Sequence, residues 1–142
     1  MAEDDEDDRD AIRDAFARNR MIIDLSFVKD GEELLDFLRR RGPHVSAPRP
    51  KLILLDLNLP RKDGREALRE IKMDPLLRSI PIVVLTTSSQ EEEILRSYDL
   101  GANSFITKPV TFDELVRVIG LVGVYWFQLV DLPSHARQSQ HP

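Results

Sequence analysis

Apolar and polar positions along the chain follow two periods, one helical and one strand-like. Between Asp8 and Arg18, Ile12, Ala15 and Phe16 fall at i, i+3 and i+4, the spacing of one helical face. Ile22 to Val28 is rich in β-branched and aromatic residues and reads as a strand. Asp30 with Glu33 three residues later is a capping box. The helix it opens carries Leu34, Leu35, Phe37 and Leu38. Arg39, Arg40 and Arg41 follow, where the helix dipole favours cations, and Gly42 marks the end. Pro48 and Pro50 make His44 to Pro50 a loop. Leu52 to Leu55 is a short continuous apolar run, expected of a strand buried on both faces. Pro60 and Gly64 bracket a turn, and Arg65 to Met73 is helical with Ala67, Leu68 and Ile71 as its stripe. Ile82 to Leu85 is a second buried strand, Gln90 to Leu100 a helix followed by Gly101, and Ser104 to Ile106 a short strand. Thr111 and Glu114 form a second capping box ahead of a long final helix.

Helices and strands therefore alternate, the pattern of an α/β parallel sheet with right-handed crossovers. The 142 residues fit one domain over 1–130 with a polar tail over 131–142. Cysteine is absent, which excludes disulfides, zinc–thiolate sites and cysteine nucleophiles. The net charge of −5 argues against a nucleic-acid partner held by phosphate contacts. The acidity is local: Glu3, Asp4, Asp5, Glu6, Asp7, Asp8 and Asp10 face only Arg9 in the first ten residues. Asp5 to Asp8 read as a solvated helix start. An acidic start is unlike a signal peptide, and no apolar run reaches the roughly 20 residues of a membrane span. A cytoplasmic setting without membrane attachment is the expectation.

In such sheets ligands bind beyond the C-terminal ends of the strands. Asp56 ends the Leu52–Leu55 run, Thr86 ends Ile82–Leu85, and Lys108 follows Ser104–Ile106. Glu3 and Asp4 precede the first helix. Carboxylates suit a hard cation such as Mg²⁺, and a carboxylate can attack phosphorus. A lysine and a hydroxyl can stabilise phosphoryl oxygens. Neither GxxxxGK[ST] nor GxGxxG occurs, so nucleotide binding is not expected.

These residues resemble a response-regulator receiver domain. The resemblance rests on Glu3-Asp4, the run ending in Asp56-Leu57-Asn58-Leu59-Pro60 with Asp63-Gly64, the run ending in Thr86, and Phe105-Ile106-Thr107-Lys108-Pro109. It implies a flavodoxin-like, doubly wound, five-stranded sheet of order 2-1-3-4-5 flanked by helices. It implies Asp56 as phosphoacceptor, Thr86 and Lys108 as contacts to the phosphoryl group, and Thr86 and Phe105 as a switch pair. It implies Mg²⁺ held by Asp4, by Glu3 through water, by Asp56 and by the Asn58 carbonyl, and a cis Lys108–Pro109 bond. Asp30-Gly31-Glu32-Glu33, Ser97 to Asn103 and Tyr125-Trp126-Phe127 are similar to single-domain regulators associated with bacterial and cyanobacterial phytochromes. That implies a sensor histidine kinase, such as a bacteriophytochrome, as partner in a two-component phosphorelay, and a protein that is no enzyme beyond its own phosphorylation and hydrolysis. A different class of reading is a phosphorylation-independent scaffold with a degenerate acidic site. A phosphatase of similar topology needs a second acid where Asn58 stands.

Two further expectations follow. From Leu115 to Val130 only Arg117 and Gln128 are clearly polar, more than one buried stripe requires. A homodimer through the 112–130 helix, with the 90–106 region, is expected. Only Met1 and Ala2 precede Glu3, where the resembled family has an internal apolar strand. The first strand is therefore expected to be truncated, its place taken by residues upstream of Met1, by rearrangement or by a partner's segment.

Overall fold

Three of the apolar runs become parallel strands in the computed structural model, which describes residues 1–86, 101–102 and 104–129. They are β1 (Ile53–Leu55), β2 (Ile82–Thr86) and β3 (Ser104–Thr107), hydrogen-bonded in the order β1-β2-β3. Ile53 pairs with Ile82, and Val83 with Ser104. Alternate side chains leave opposite faces of the sheet. Ile53, Leu55, Ile82 and Val84 enter one core with α2 (Gly31–Arg39) and α3 (Gly64–Met73). Leu54, Val83 and Leu85 enter another with Ile12, Ala15 and Phe16 of α1 (Glu6–Arg18) and Leu115, Ile119 and Val122 of α4 (Phe112–Gly123). Helices on both faces are the doubly wound α/β arrangement expected, and they explain why these strands read as unbroken apolar runs.

The helix starts follow their caps. Asp5 accepts from the Asp8 N–H, so α1 begins two residues before the apolar stripe alone suggests. Asp30 accepts from Glu33, Asp63 from Glu66, and Thr111 from Glu114. The arginine run ends α2 earlier than expected: Arg40, at φ 55, is the left-handed cap, ahead of Gly42. A π-helical turn, Val124–Leu129, continues from α4. No cis peptide bond occurs among the described residues, so Lys108–Pro109 is trans rather than cis. Trans is the favoured state of X–Pro bonds by about 0.5–1 kcal/mol. The expected helix Gln90–Leu100 and the tail 131–142 lie outside the described residues.

The other two expected strands are present only in outline. Ala2 makes isolated parallel bridges to Val28 on one side and Leu55 on the other. The Ala2 N–H donates to Leu54 O at 2.9 Å, and the Glu3 N–H to Val28 O at 2.9 Å. The lateral order is thus segment 22–28, residues 1–3, β1, β2, β3, which is 2-1-3-4-5. Among the described residues a three-stranded ladder replaces the expected five, because residues 1–3 are too short to pair the rest of segment 22–28. That segment keeps a strand's alternation, with Ile23, Leu25 and Phe27 half-buried and Asp24 and Ser26 exposed.

Candidate functional site

The carboxyl ends of the parallel strands gather the chemistry. Asp56 directly follows β1, and its N–H donates to Ala2 O at 3.1 Å, which anchors the acidic start beside it. Lys108 directly follows β3. Thr86 closes β2 and pairs in register with Thr107, so its backbone lies on the same edge.

Lys108 is the hub. Its Nζ donates to Glu3 Oε1, to Asp8 Oδ2 at 2.8 Å and to Asp56 Oδ2 at 3.3 Å. Glu3 is 1% exposed and Asp56 6%, so both carboxylates are desolvated. Burial pushes the Glu3 carboxyl above its ordinary value, although Lys108 pulls it down, and the nearby charge of Asp56 adds to the rise. Burial by itself lowers the Lys108 ammonium, but its bonds to Asp8 and Glu3 and the charges of Asp56 and Glu3 outweigh that and raise it. Three carboxylates against one ammonium leave an excess of negative charge.

The backbone holds the other oxygen of Asp56. The Asn58 N–H donates to Asp56 Oδ1 at 2.9 Å. The Gly64 N–H donates to Leu57 O at 3.0 Å, which folds the following loop back on itself. A Cβ at Gly64 would lie 2.4 Å from Asp56 O and 2.6 Å from Leu57 Cα, so only glycine lets α3 start this close to the site. The Gly31 N–H donates to Lys62 O at 2.9 Å and ties the same loop to α2.

The expected residues are thus brought together unevenly. Glu3, Asp56 and Lys108 are in direct contact, and Asn58 is bonded to Asp56. Asp4 is exposed, and among the described residues no hydrogen bond or ion pair joins its side chain to this cluster. Phe105 is half-buried against the α2–α3 core, two residues before the edge. Asp8, expected as solvated helix surface, instead reaches Lys108. Its place in the first turn of α1, one turn beyond Glu3, is the signal that would have found it.

Every candidate ligand offers oxygen, which suits a hard cation. Among the described residues no group of three His, Cys, Asp or Glu is close enough to hold one. The excess negative charge around buried Glu3 and Asp56 is what a divalent ion would relieve, so the residues fit such an ion in chemistry.

Comparison with known proteins agrees. The family described as "Response regulator receiver domain" matches residues 1–120. The response regulator Rcp1 of Synechocystis sp. is 39% identical over 134 residues, 94% of this chain and 91% of Rcp1. The phosphorylated cyanobacterial phytochrome response regulator RcpA has a similar structure, with TM-score 0.88 and 44% identity over 93% of this chain and 94% of RcpA. The Mn²⁺-bound form of Rcp1 superposes with TM-score 0.86 and 39% identity, covering 93% of this chain and 95% of Rcp1. The family is a signalling domain rather than an enzyme family. With this fold, this strand-edge site and these relatives, the chain belongs to the response regulator receiver domain family.

Proposed function

We propose that the chain is a phosphorylation-controlled switch in two-component signalling, and that Asp56 is its phosphoacceptor. One observation carries this reading most: Asp56, nearly buried, is held through one oxygen by backbone N–H and faces the Lys108 ammonium through the other. An oxygen of Asp56 attacks the phosphorus of a phosphohistidine, the P–N bond breaks, and an acyl phosphate forms. Lys108 leaves one carboxylate for the new phosphoryl oxygens, and Thr86, whose backbone ends β2 on the same edge, is the second contact to them in this reading. Water later hydrolyses the acyl phosphate and returns the carboxylate. Glu3, Asp4, Asp56 and the Asn58 carbonyl would hold Mg²⁺. When bound, the ion neutralises charge on the carboxylates and the incoming phosphoryl group. Phe105 packs beside the core at half burial, so it can respond to a movement of Thr86.

The relatives' phytochrome association supports a sensor histidine kinase, of the phytochrome type, as the phosphoryl donor. No helix among the described residues is long and apolar enough to cross a membrane, which suits a cytoplasmic switch. Leu121 (58% exposed) and Tyr125 (54%) leave an apolar strip on α4 and the turn beyond it. That strip supports the homodimer through the 112–130 helix. The test is transfer of radiolabelled phosphate from an autophosphorylated phytochrome kinase core, with Mg²⁺ or with chelator. Mg²⁺-dependent transfer that Asp56→Ala abolishes is expected. Dimerisation that persists with no transfer under any condition would favour the phosphorylation-independent scaffold.

A further inference from the structure

The Lys108 ammonium has three N–H donors, and three carboxylates surround it, one for each. The acceptors are not alike. Glu3 and Asp56 are buried, whereas the Asp8 side chain is 44% exposed. Glu3 and Asp56 belong to the set proposed for Mg²⁺, and Asp8 does not. Asp8 comes from the first turn of α1, where the Asp5 carboxylate accepts its N–H at 3.0 Å and the helix dipole favours its charge. The helix, and not the ammonium, therefore sets its position.

This arrangement contains a conflict. The ammonium bridges the two buried carboxylates, where a divalent ion shared by them would put its charge. Two cations drawn to the same carboxylates repel each other. The Lys108 side chain is only 9% exposed, so an ammonium released from Glu3 and Asp56 with no other partner would be a buried, unpaired charge. Asp8 already holds it at 2.8 Å, closer than Asp56 does at 3.3 Å. Asp8 also reaches water, which can satisfy the rest of its carboxylate at little cost.

Resting on the reading of Asp56 as phosphoacceptor, we propose that Asp8 is a positioning residue for Lys108. It retains the ammonium when Glu3 and Asp56 turn to a divalent ion, and so keeps it at the strand edge for the phosphoryl oxygens. The acidic start of the chain then has two separate tasks, with Glu3 serving the ion and Asp8 serving the lysine. An Asp8 that merely added negative charge would behave differently. Its loss would weaken ion binding equally with or without Lys108.

The experiment measures Mg²⁺ binding by titration calorimetry on the full chain, Asp8→Asn, Asp8→Glu, Lys108→Met and the double variant Asp8→Asn with Lys108→Met. Asp8→Asn is expected to weaken Mg²⁺ binding roughly tenfold, the scale seen when a group supporting a metal site is removed. Asp8→Glu should recover most of the loss. With Lys108→Met already in place, Asp8→Asn should change the affinity by less than about twofold, because the coupling runs through the ammonium. Equal weakening in both backgrounds, or no weakening of the parent, overturns the proposal. A second readout needs no substitution of Lys108. The parent and Asp8→Asn are treated with an amine-acylating reagent, with and without Mg²⁺, and modification of Lys108 is read by peptide mass. Mg²⁺ is expected to leave Lys108 protected in the parent and to raise its modification several-fold in Asp8→Asn. The same protection in both chains overturns the proposal. A parent that takes up neither Mg²⁺ nor a phosphoryl group from acetyl phosphate refutes the phosphoacceptor reading, and the role of Asp8 with it. Mg²⁺-dependent phosphorylation of the parent, with Mg²⁺ affinity untouched by Asp8→Asn, overturns the role of Asp8 alone.

Discussion

Replacing Lys108 by Met removes the ammonium that three carboxylates share and keeps much of the side chain's length. At 3.3 Å and an effective dielectric of about 20, the Asp56 pair alone amounts to about 5 kcal/mol of Coulomb attraction. Glu3 adds a second buried contact. Asp8, with its side chain 44% exposed, adds little because water screens it. Desolvation of the ammonium offsets part of this, and breaking a buried pair by removing one partner costs about 3–5 kcal/mol. The lower end applies, because burial already raises the Glu3 carboxyl above its ordinary value and so eases uptake of a proton once the ammonium is gone. Lys108→Met should therefore lose about 3 kcal/mol at pH 8, or roughly 10 °C in Tm. The loss should shrink towards pH 5, where protonation of Glu3 relieves the unpaired charge. Urea unfolding at both pH values reads it, beside exposed Lys29→Met as a control expected within about 0.5 kcal/mol of the parent. A Lys108→Met chain as stable as the control at pH 8 would refute the idea that this lysine holds the acidic site together.

Three other outcomes are expected. Because burial raises the folded-state pKa of Glu3 above the ordinary 4.5, the native state binds more protons above that pH, and stability should fall as pH rises through that window. Glu3→Gln should flatten that slope in urea melts taken across it, and an unchanged slope would assign it to another group. Gly64→Ala drives a Cβ into the backbone of Asp56 and Leu57 and should cost about 1–3 kcal/mol in the same assay; no cost would mean the loop yields freely. In the homodimer proposed above, Tyr125→Glu places a charge in the apolar strip of the last turns and should shift sedimentation to a monomer with Tm little changed, whereas a persisting dimer would place the interface elsewhere.

Much of this fold was legible because local chemistry and burial agree. Continuous apolar runs such as Ile82–Leu85 mark strands covered on both faces, and Asp30, Asp63 and Thr111 cap their helices as their side chains allow. Asp56 and Lys108 were legible because strand ends in parallel sheets converge. Asp8 was not, since a first-turn aspartate in an acidic run looks like any dipole-favoured surface charge until Lys108 arrives from a residue 100 positions away. Segment 22–28 has a strand's composition yet forms one bridge, because ladder formation depends on a neighbour that its own residues do not encode. The end of α2 at Arg40 rather than Gly42 reflects an arginine accepting left-handed geometry where its N–H bonds Phe37 O.

The central claim is that Asp56 accepts a phosphoryl group in the setting built by Glu3, Asn58 and Lys108. Intact mass after incubation with acetyl phosphate and Mg²⁺, beside an Asp56→Ala control, tests it most directly. A single phosphoryl adduct on the parent chain, lost with Asp56→Ala and in the presence of chelator, is the predicted result. An equal adduct on both chains, or none on either, would contradict it.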